Sequence, residues 1–554
     1  MGTSGSIAGR IPAANFEVFE EQMLHGPPAV FPAACEAKEN LSAGPARPLH
    51  PGFPNLAGAK EEHMRKSGIL MPMASLPGAY GIGTLGKPSF TFIDFLKKAG
   101  QSVWQLLPLS PTGYGDSPYQ SCSAFAGNPY FIDLDLLRKD GLLKKGEYES
   151  LDYGSNEGAV DYGKMYGVRF SVLRKAFARF STWYPDDYYH FCYEQGWWLE
   201  DYALYMTAKG LNDGKCYLEW PEDVRLHKKE AIDRLYAEHE KEVHFWKFCQ
   251  YEFRRQWMAL KAYAAEQGIE IMGDIPIYVA ADSADAWASP ELFLLGKDGA
   301  PAEVAGCPPD AFSDDGQLWG NPLYDWAYHE KTDFAWWVRR IRYALEFYDH
   351  LRIDHFRGFD TYYAIPYGAK TAKEGEWRTG PGMKLFNTVK KELGEVPIIA
   401  EDLGELFPSV HKLLRDSGFP GMKVLQFAFG EGESEYLPHN HPVHCVVYTG
   451  THDNTTVAAW VKTASPAERR KAARYLGLNQ KEGYAAGLIR GALASPGELC
   501  IIPLADYLGL GAAARINAPS TVNGTNWTWR ALPDYLSTAN AKKIAALAKL
   551  YGRG

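Results

Sequence analysis

The 554-residue chain contains no apolar run near the roughly 18 residues that a membrane helix needs, so a soluble protein is expected. It also has no basic patch or stripe: 58 Lys and Arg stand against 67 Asp and Glu, a formal net charge of −9. Phosphate-rich partners require concentrated positive charge, and neither nucleic acid nor membrane is expected as a partner. Paired cysteines are missing as well. Cys35, Cys122, Cys192, Cys216, Cys249, Cys307, Cys445 and Cys500 include no C-x-x-C pair and no histidine at zinc-ligand spacing. That argues against a disulfide scaffold and a zinc site, and for reduced thiols in the cytoplasm. Finally, the N-terminus has no basic leader before an apolar core, and Glu17, Glu20, Glu21, Glu36 and Glu39 make it too acidic for a transit peptide.

What the chain does have is aromatic residues, 14% of the total with 16 Trp and 33 Tyr. Many lie in Gly- and Pro-rich stretches such as "WGNPLYDW" and "GEWRTGPG". Packing accounts for most such rings, but an amphipathic ring is also a platform for an uncharged, flat-faced ligand such as a sugar. Residues 1–62 are rich in Ala, Pro and Gly with little periodicity; they are expected to form a partly flexible extension ahead of a catalytic domain over 63–554.

Eight short apolar runs of strand character follow, near 68–72, 103–107, 270–274, 351–354, 397–401, 423–427, 444–449 and 499–503. Most are separated by helix-compatible segments such as "PSFTFIDFLKKAG", the alternation of parallel β/α units. The wide gap after the second run predicts a mainly helical insertion at about 113–255, and the polar stretch at about 296–325 is expected to be a long loop covering a cleft.

Polar residues cluster where these runs end. Asp274 closes the third, Arg352 and Asp354 the fourth, Glu401 the fifth, and His452 and Asp453 follow the seventh. In a (β/α)8 barrel such ends converge on one rim. Helix N-capping would explain the aspartates singly, but not the accompanying Arg, His and Glu. Carboxylates so gathered suit either a divalent metal or general acid/base chemistry on a neutral substrate. Arg352 lies two residues from Asp354, on the same strand face, and is expected to keep that aspartate ionised. Glu401, following "VPIIA", is expected to have a raised pKa. Two carboxyls pushed apart in this way match a retaining glycosidase pair. "GIGTLG" at 81–86 satisfies G-x-G-x-x-G but lacks the acidic residue of a dinucleotide site, so it reads as a glycine-rich turn.

The motifs "SLPGAYGIGTLG", "SPYQSCSAFAGNPYFIDLD", "GDIPIYVAADSADAW", "PPDAFSDDGQLWGNPLYDW", "LRIDHFRGF", "IIAEDLG" and "YTGTHDNTT" together resemble the 4-α-glucanotransferases of glycoside hydrolase family 77, over about 66–536. The resemblance implies a TIM barrel of the α-amylase clan with inserted subdomains, acting without cofactor or metal on an α-1,4-glucan donor and a glucan or glucose acceptor. It implies Asp354 as nucleophile, Glu401 as acid/base and Asp453 as transition-state stabiliser. Tyr119, Asp274, Asp310, Trp319, Asn321, Arg352, His355 and His452 would hold substrate or the nucleophile. A hydrolase of the same clan, or a silent glucan-binding protein, would share these motifs.

Overall fold

The computed structural model describes residues 65–309, 313–404 and 406–554. The expected extension at 1–62 and the candidate Asp310 lie outside the described residues.

In chain order the strands are β1 (Lys66–Leu70), β2 (Val103–Gln105), β3 (Glu270–Pro276), β4 (Glu303–Cys307), β5 (Gln317–Pro322), β6 (His350–Asp354), β7 (Thr361–Pro366), β8 (Glu376–Thr379), β9 (Ile398–Ala400), β10 (Gly421–Val424), β11 (Cys445–Tyr448) and β12 (Leu499–Pro503). Eight of them pair in parallel in the order β10-β11-β12-β1-β2-β3-β6-β9, one strand at each apolar run anticipated above. The remaining edge, between β9 and β10, is bridged by the Ala400 N–H donating to the Pro420 carbonyl at 3.0 Å. The fold is a (β/α)8 TIM barrel.

Strand alternation sorts the side chains. Leu70, Val103, Met272, Ile399, Met422, Val424, Val446, Tyr448 and Ile501 form one cluster drawn from seven of the eight strands, which only the barrel lumen allows. Their neighbours Ile69, Trp104, Ile271, Leu351, Ile353 and Ile398 point outward, into a core shared with Phe92, Leu96 and Trp257 of the surrounding helices. The first of those helices, Lys87–Lys98, starts with Pro88 in its first turn and ends on Lys97 and Lys98, whose charges suit the carboxyl end of its dipole.

Between β2 and β3 lie three long helices, Tyr162–Phe180, Asp186–Leu211 and Lys229–Glu266. The sequence reading of 296–325 as a loop needs correction: β4 and β5 arise there and join β7 and β8 in an antiparallel sheet of order β5-β4-β7-β8. β8 and much of β5 are only half-buried, so these two lack the apolar runs that betrayed the barrel strands. The barrel's sixth strand is also shorter than the run at 423–427 suggested, because β10 stops at Val424 and Leu425–Phe429 turns into 3-10 helix.

Candidate active site

Register brings the polar strand ends together. Asp274 stands directly opposite Arg352 on the β3–β6 pair, and Ile353 opposite Ala400 on the β6–β9 pair, so the next residues, Asp354 and Glu401, are neighbours. Arg352 is the hub. Its Nη1 donates to both Asp274 oxygens, at 2.8 and 2.7 Å, and its Nη2 donates to Asp354 Oδ1 at 3.0 Å. The Tyr119 hydroxyl donates to Asp274 Oδ2 at 2.7 Å. Asp274 is thus consumed in holding Arg352 and Tyr119, while the Asp354 side chain keeps 30% exposure to the cleft.

Glu401 is built differently. Its Oε1 accepts from the Leu403 N–H at 2.7 Å and its Oε2 from the His355 N–H at 2.8 Å. The second bond is made with His355 at φ 55°, a left-handed conformation uncommon outside glycine. Burial pushes the Glu401 carboxyl up to about 7, and the negative charge of Asp354 adds to the shift against the opposing charge of Arg352. Burial also raises Asp354, with Arg352 pulling it back down. The arginine's attraction expected from the sequence is present at Asp354, and partial enclosure works against it. Of the two carboxyls only Asp354 receives a guanidinium hydrogen bond, which favours its ionised form.

The segment after β11 carries His452 and Asp453. The His452 ring stacks on Tyr119 with centroids 5.1 Å apart and planes 15° from parallel, and Trp527 lies 5.8 Å from each ring. Asp453 Oδ1 is 3.4 Å from His452 Nε2 and accepts from Asn517 Nδ2 at 2.7 Å. Arg515 Nη2 donates to the Asp453 carbonyl at 2.6 Å.

Trp319 and Asn321 come from β5. The edge of Trp319 meets the His355 ring at 4.8 Å and 88°, and burial, with the nearby charge of Arg357, pushes that imidazole down to about 3, so it is neutral. Asn321 is buried and occupied: its Nδ2 donates to the Val279 carbonyl at 2.7 Å and its Oδ1 accepts from Gln120 Nε2 at 3.1 Å. It ties β5 to the segment beside Tyr119 and offers no free group.

Among the described residues no three His, Cys, Asp or Glu side chains form a group able to hold a metal ion. The glycines of "GIGTLG" serve packing, since a Cβ on Gly83 would lie 1.9 Å from the Met73 carbonyl oxygen and one on Gly86 2.1 Å from the Asp133 carboxyl.

A family model described as 4-alpha-glucanotransferase matches residues 71–535. The chain belongs to the 4-alpha-glucanotransferase family, glycoside hydrolase family 77. It is 50% identical over 486 residues to a 4-alpha-glucanotransferase of Clostridium butyricum, covering 87% of this chain and 100% of that one. It is 47% identical over 493 residues to the enzyme of Streptococcus pneumoniae serotype 4, covering 88% and 97%. Among solved structures, an amylomaltase from Streptococcus agalactiae in complex with acarbose superposes with a TM-score of 0.87 at 40% identity, over 88% of this chain and 100% of that one.

For this 4-alpha-glucanotransferase, reading the sequence missed Arg515, Asn517 and Trp527. They follow β12, whose end carries no polar residue of its own, and reach the site through a segment of irregular backbone. The available signal was position alone: "ARINAPSTVNGTNW" follows the eighth strand on the rim where the other site residues gather.

Proposed function

We propose that this 4-alpha-glucanotransferase moves glucanosyl units by a retaining double displacement in which Asp354 is the nucleophile and Glu401 the acid/base. In the first step an Asp354 oxygen bonds to C1 of the donor sugar as the C1–O4 bond breaks, and the Glu401 proton passes to the departing O4. In the second, the 4-hydroxyl of an acceptor glucan or glucose bonds to C1, its proton returns to Glu401, and the ester to Asp354 breaks. Two inversions at C1 leave the α configuration intact. Asp453, on the segment after β11, hydrogen-bonds sugar hydroxyls more tightly as positive charge develops on the ring. The Tyr119 ring, fixed by Asp274 and His452, is an apolar face for that sugar.

The observation that carries this reading is the asymmetry of the carboxyl pair: of the two, only Asp354 accepts from Arg352, while Glu401 is held near 7. A nucleophile must be ionised while its partner is protonated, and this pair is arranged for that division. Donor and acceptor are α-1,4-glucans such as maltooligosaccharides or starch, in keeping with the family and with the rings of Tyr119, Trp319 and Trp527 around the carboxyls. Cys122, Cys192, Cys216, Cys249, Cys445 and Cys500 are free thiols, which suits a reducing compartment such as the cytoplasm.

Incubation with maltotriose followed by separation of the products tests the reading. Glucose together with oligomers longer than maltotriose is the expected result. Glucose and maltose alone would mean transfer to water, and an unchanged substrate would mean binding without chemistry.

A further inference from the structure

The barrel seam lies beside Glu401, and it is closed in an unusual way. β9 has three residues and makes no ladder with β10. After Ala400 N–H has bonded to the Pro420 carbonyl, the next donor along β10, the Met422 N–H, bonds at 2.6 Å to Oδ1 of the Asp402 side chain. A carboxylate stands where a parallel ladder would supply a backbone carbonyl. Gly421 makes room for it: a Cβ there would lie 2.5 Å from Asp402 Oδ2 and 2.8 Å from its Cγ. Lys423 lies on the far side, its Nζ 3.8 Å from Asp402 Oδ2 and 2.5 Å from Glu435. Asp402 is 3% exposed and Lys423 7%.

Glu401 is therefore flanked by two anchors. On one side its own N–H donates to the Ile353 carbonyl at 3.1 Å, within the β6 side of the seam. On the other, Asp402 ties the chain to β10. Leu403, whose N–H holds Glu401 Oε1, follows immediately. We infer that Asp402, seated over Gly421 and paired with Lys423, is a positioning residue for the Glu401 carboxyl: it replaces the missing strand ladder and fixes the backbone turn from which Glu401 reaches the leaving oxygen. The inference rests on Glu401 being the general acid. Asp402 is seated over Gly421, on the strand face opposite the lumen-lining Met422, and so acts only through Glu401. A misplacement of about 1 Å in a reacting group costs on the order of 10²-fold in rate.

Two donors separate this role from general stabilisation. Maltotriose loses an alkoxide that needs the Glu401 proton. α-Maltosyl fluoride loses fluoride, which departs with the C1–F electron pair and needs no proton, while Asp354 forms the same ester. Asp402→Asn keeps an oxygen for the Met422 N–H but turns an amide toward Lys423; Gly421→Ala pushes the same carboxyl from the other side. Each variant, assayed well below its unfolding temperature, is expected to lose about 100-fold in kcat on maltotriose with KM changed less than threefold. Fluoride release in a single turnover should stay within threefold of wild type, as it should for Glu401→Gln. Wild-type rates on maltotriose, or equal losses with both donors, for Asp402→Asn and Gly421→Ala while Glu401→Gln shows the split, would overturn the positioning role. If Glu401→Gln shows no split, the acid assignment falls and this inference with it.

Discussion

Glu401 receives two backbone N–H groups that favour its ionised form, yet burial and the adjacent Asp354 hold it near 7. Its protonation is therefore lost just where pH crosses neutrality, and transfer from maltooligosaccharides should fall as pH rises through about 7, with that limb missing in Glu401→Gln. The same shift has a stability consequence. A carboxyl raised from 4.5 to about 7 on folding contributes stability that is complete below the lower value and lost as pH rises through the upper one. Thermal unfolding of Glu401→Gln should accordingly lose less Tm between pH 5 and pH 8 than wild type. Asp354→Asn, Glu401→Gln and Asp453→Asn should each fold and lose about 10²- to 10⁴-fold in maltotriose disproportionation. An Asp354→Asn enzyme retaining a tenth of the wild-type rate would remove Asp354 from the mechanism.

Among the elements, the turn 81–86 and the strand β5 show how differently a motif and a strand announce themselves. "GIGTLG" is conspicuous in sequence, but its glycines answer crowding. Gly86 abuts Asp133, which takes the Thr84 hydroxyl at 2.6 Å and caps the helix Leu134–Lys139 through the Leu136 N–H. Gly86→Ala should cost about 1–3 kcal/mol in chemical denaturation by overpacking. β5 is inconspicuous, a polar stretch with "DDGQLWGNP" around it, yet it delivers Trp319 to His355 and Asn321 to Gln120. The barrel strands could be read because each is buried on both faces and so is nearly all apolar. The small antiparallel sheet was harder to read, because β5 and β8 are half-exposed and the central pairing, β4 with β7, joins strands that flank β6 in sequence.

For the whole molecule, the site stands on strand ends, while the opposite end of the barrel is sealed by Arg553. That side chain, 1% exposed, donates to the carbonyls of Leu493, Lys66, Ser495 and Gly497 at 2.8–3.0 Å, across the β12–β1 junction. Arg553→Ala strands these buried acceptors and should destabilise the barrel by about 3 kcal/mol or more, read as a lowered denaturation midpoint. Chemistry is elsewhere: every described site residue is carried by the barrel, its strand-end segments or β5. Deleting residues 1–60 should therefore leave maltotriose disproportionation intact in a protein with wild-type circular dichroism. A folded but inactive truncation would place part of the extension in the cleft.

Eight apolar runs, their order and the polar residues at their ends were decided by the sequence alone, because a strand buried on both faces must be apolar until it reaches the rim. The raised Glu401 carboxyl was also legible in local context, since "VPIIA" before it already implies burial. Tertiary structure decided the rest. Whether burial or Arg352 wins at Asp354 depends on how many neighbours enclose the carboxyl, a sum over β3, β6, β9 and the segment after β11 that no local stretch contains. Likewise, the clamp of Arg515 and Asn517 on Asp453, and the Asp402 carboxylate closing the seam at Met422, arise only when residues up to 64 positions apart are brought within hydrogen-bonding distance by closure of the barrel.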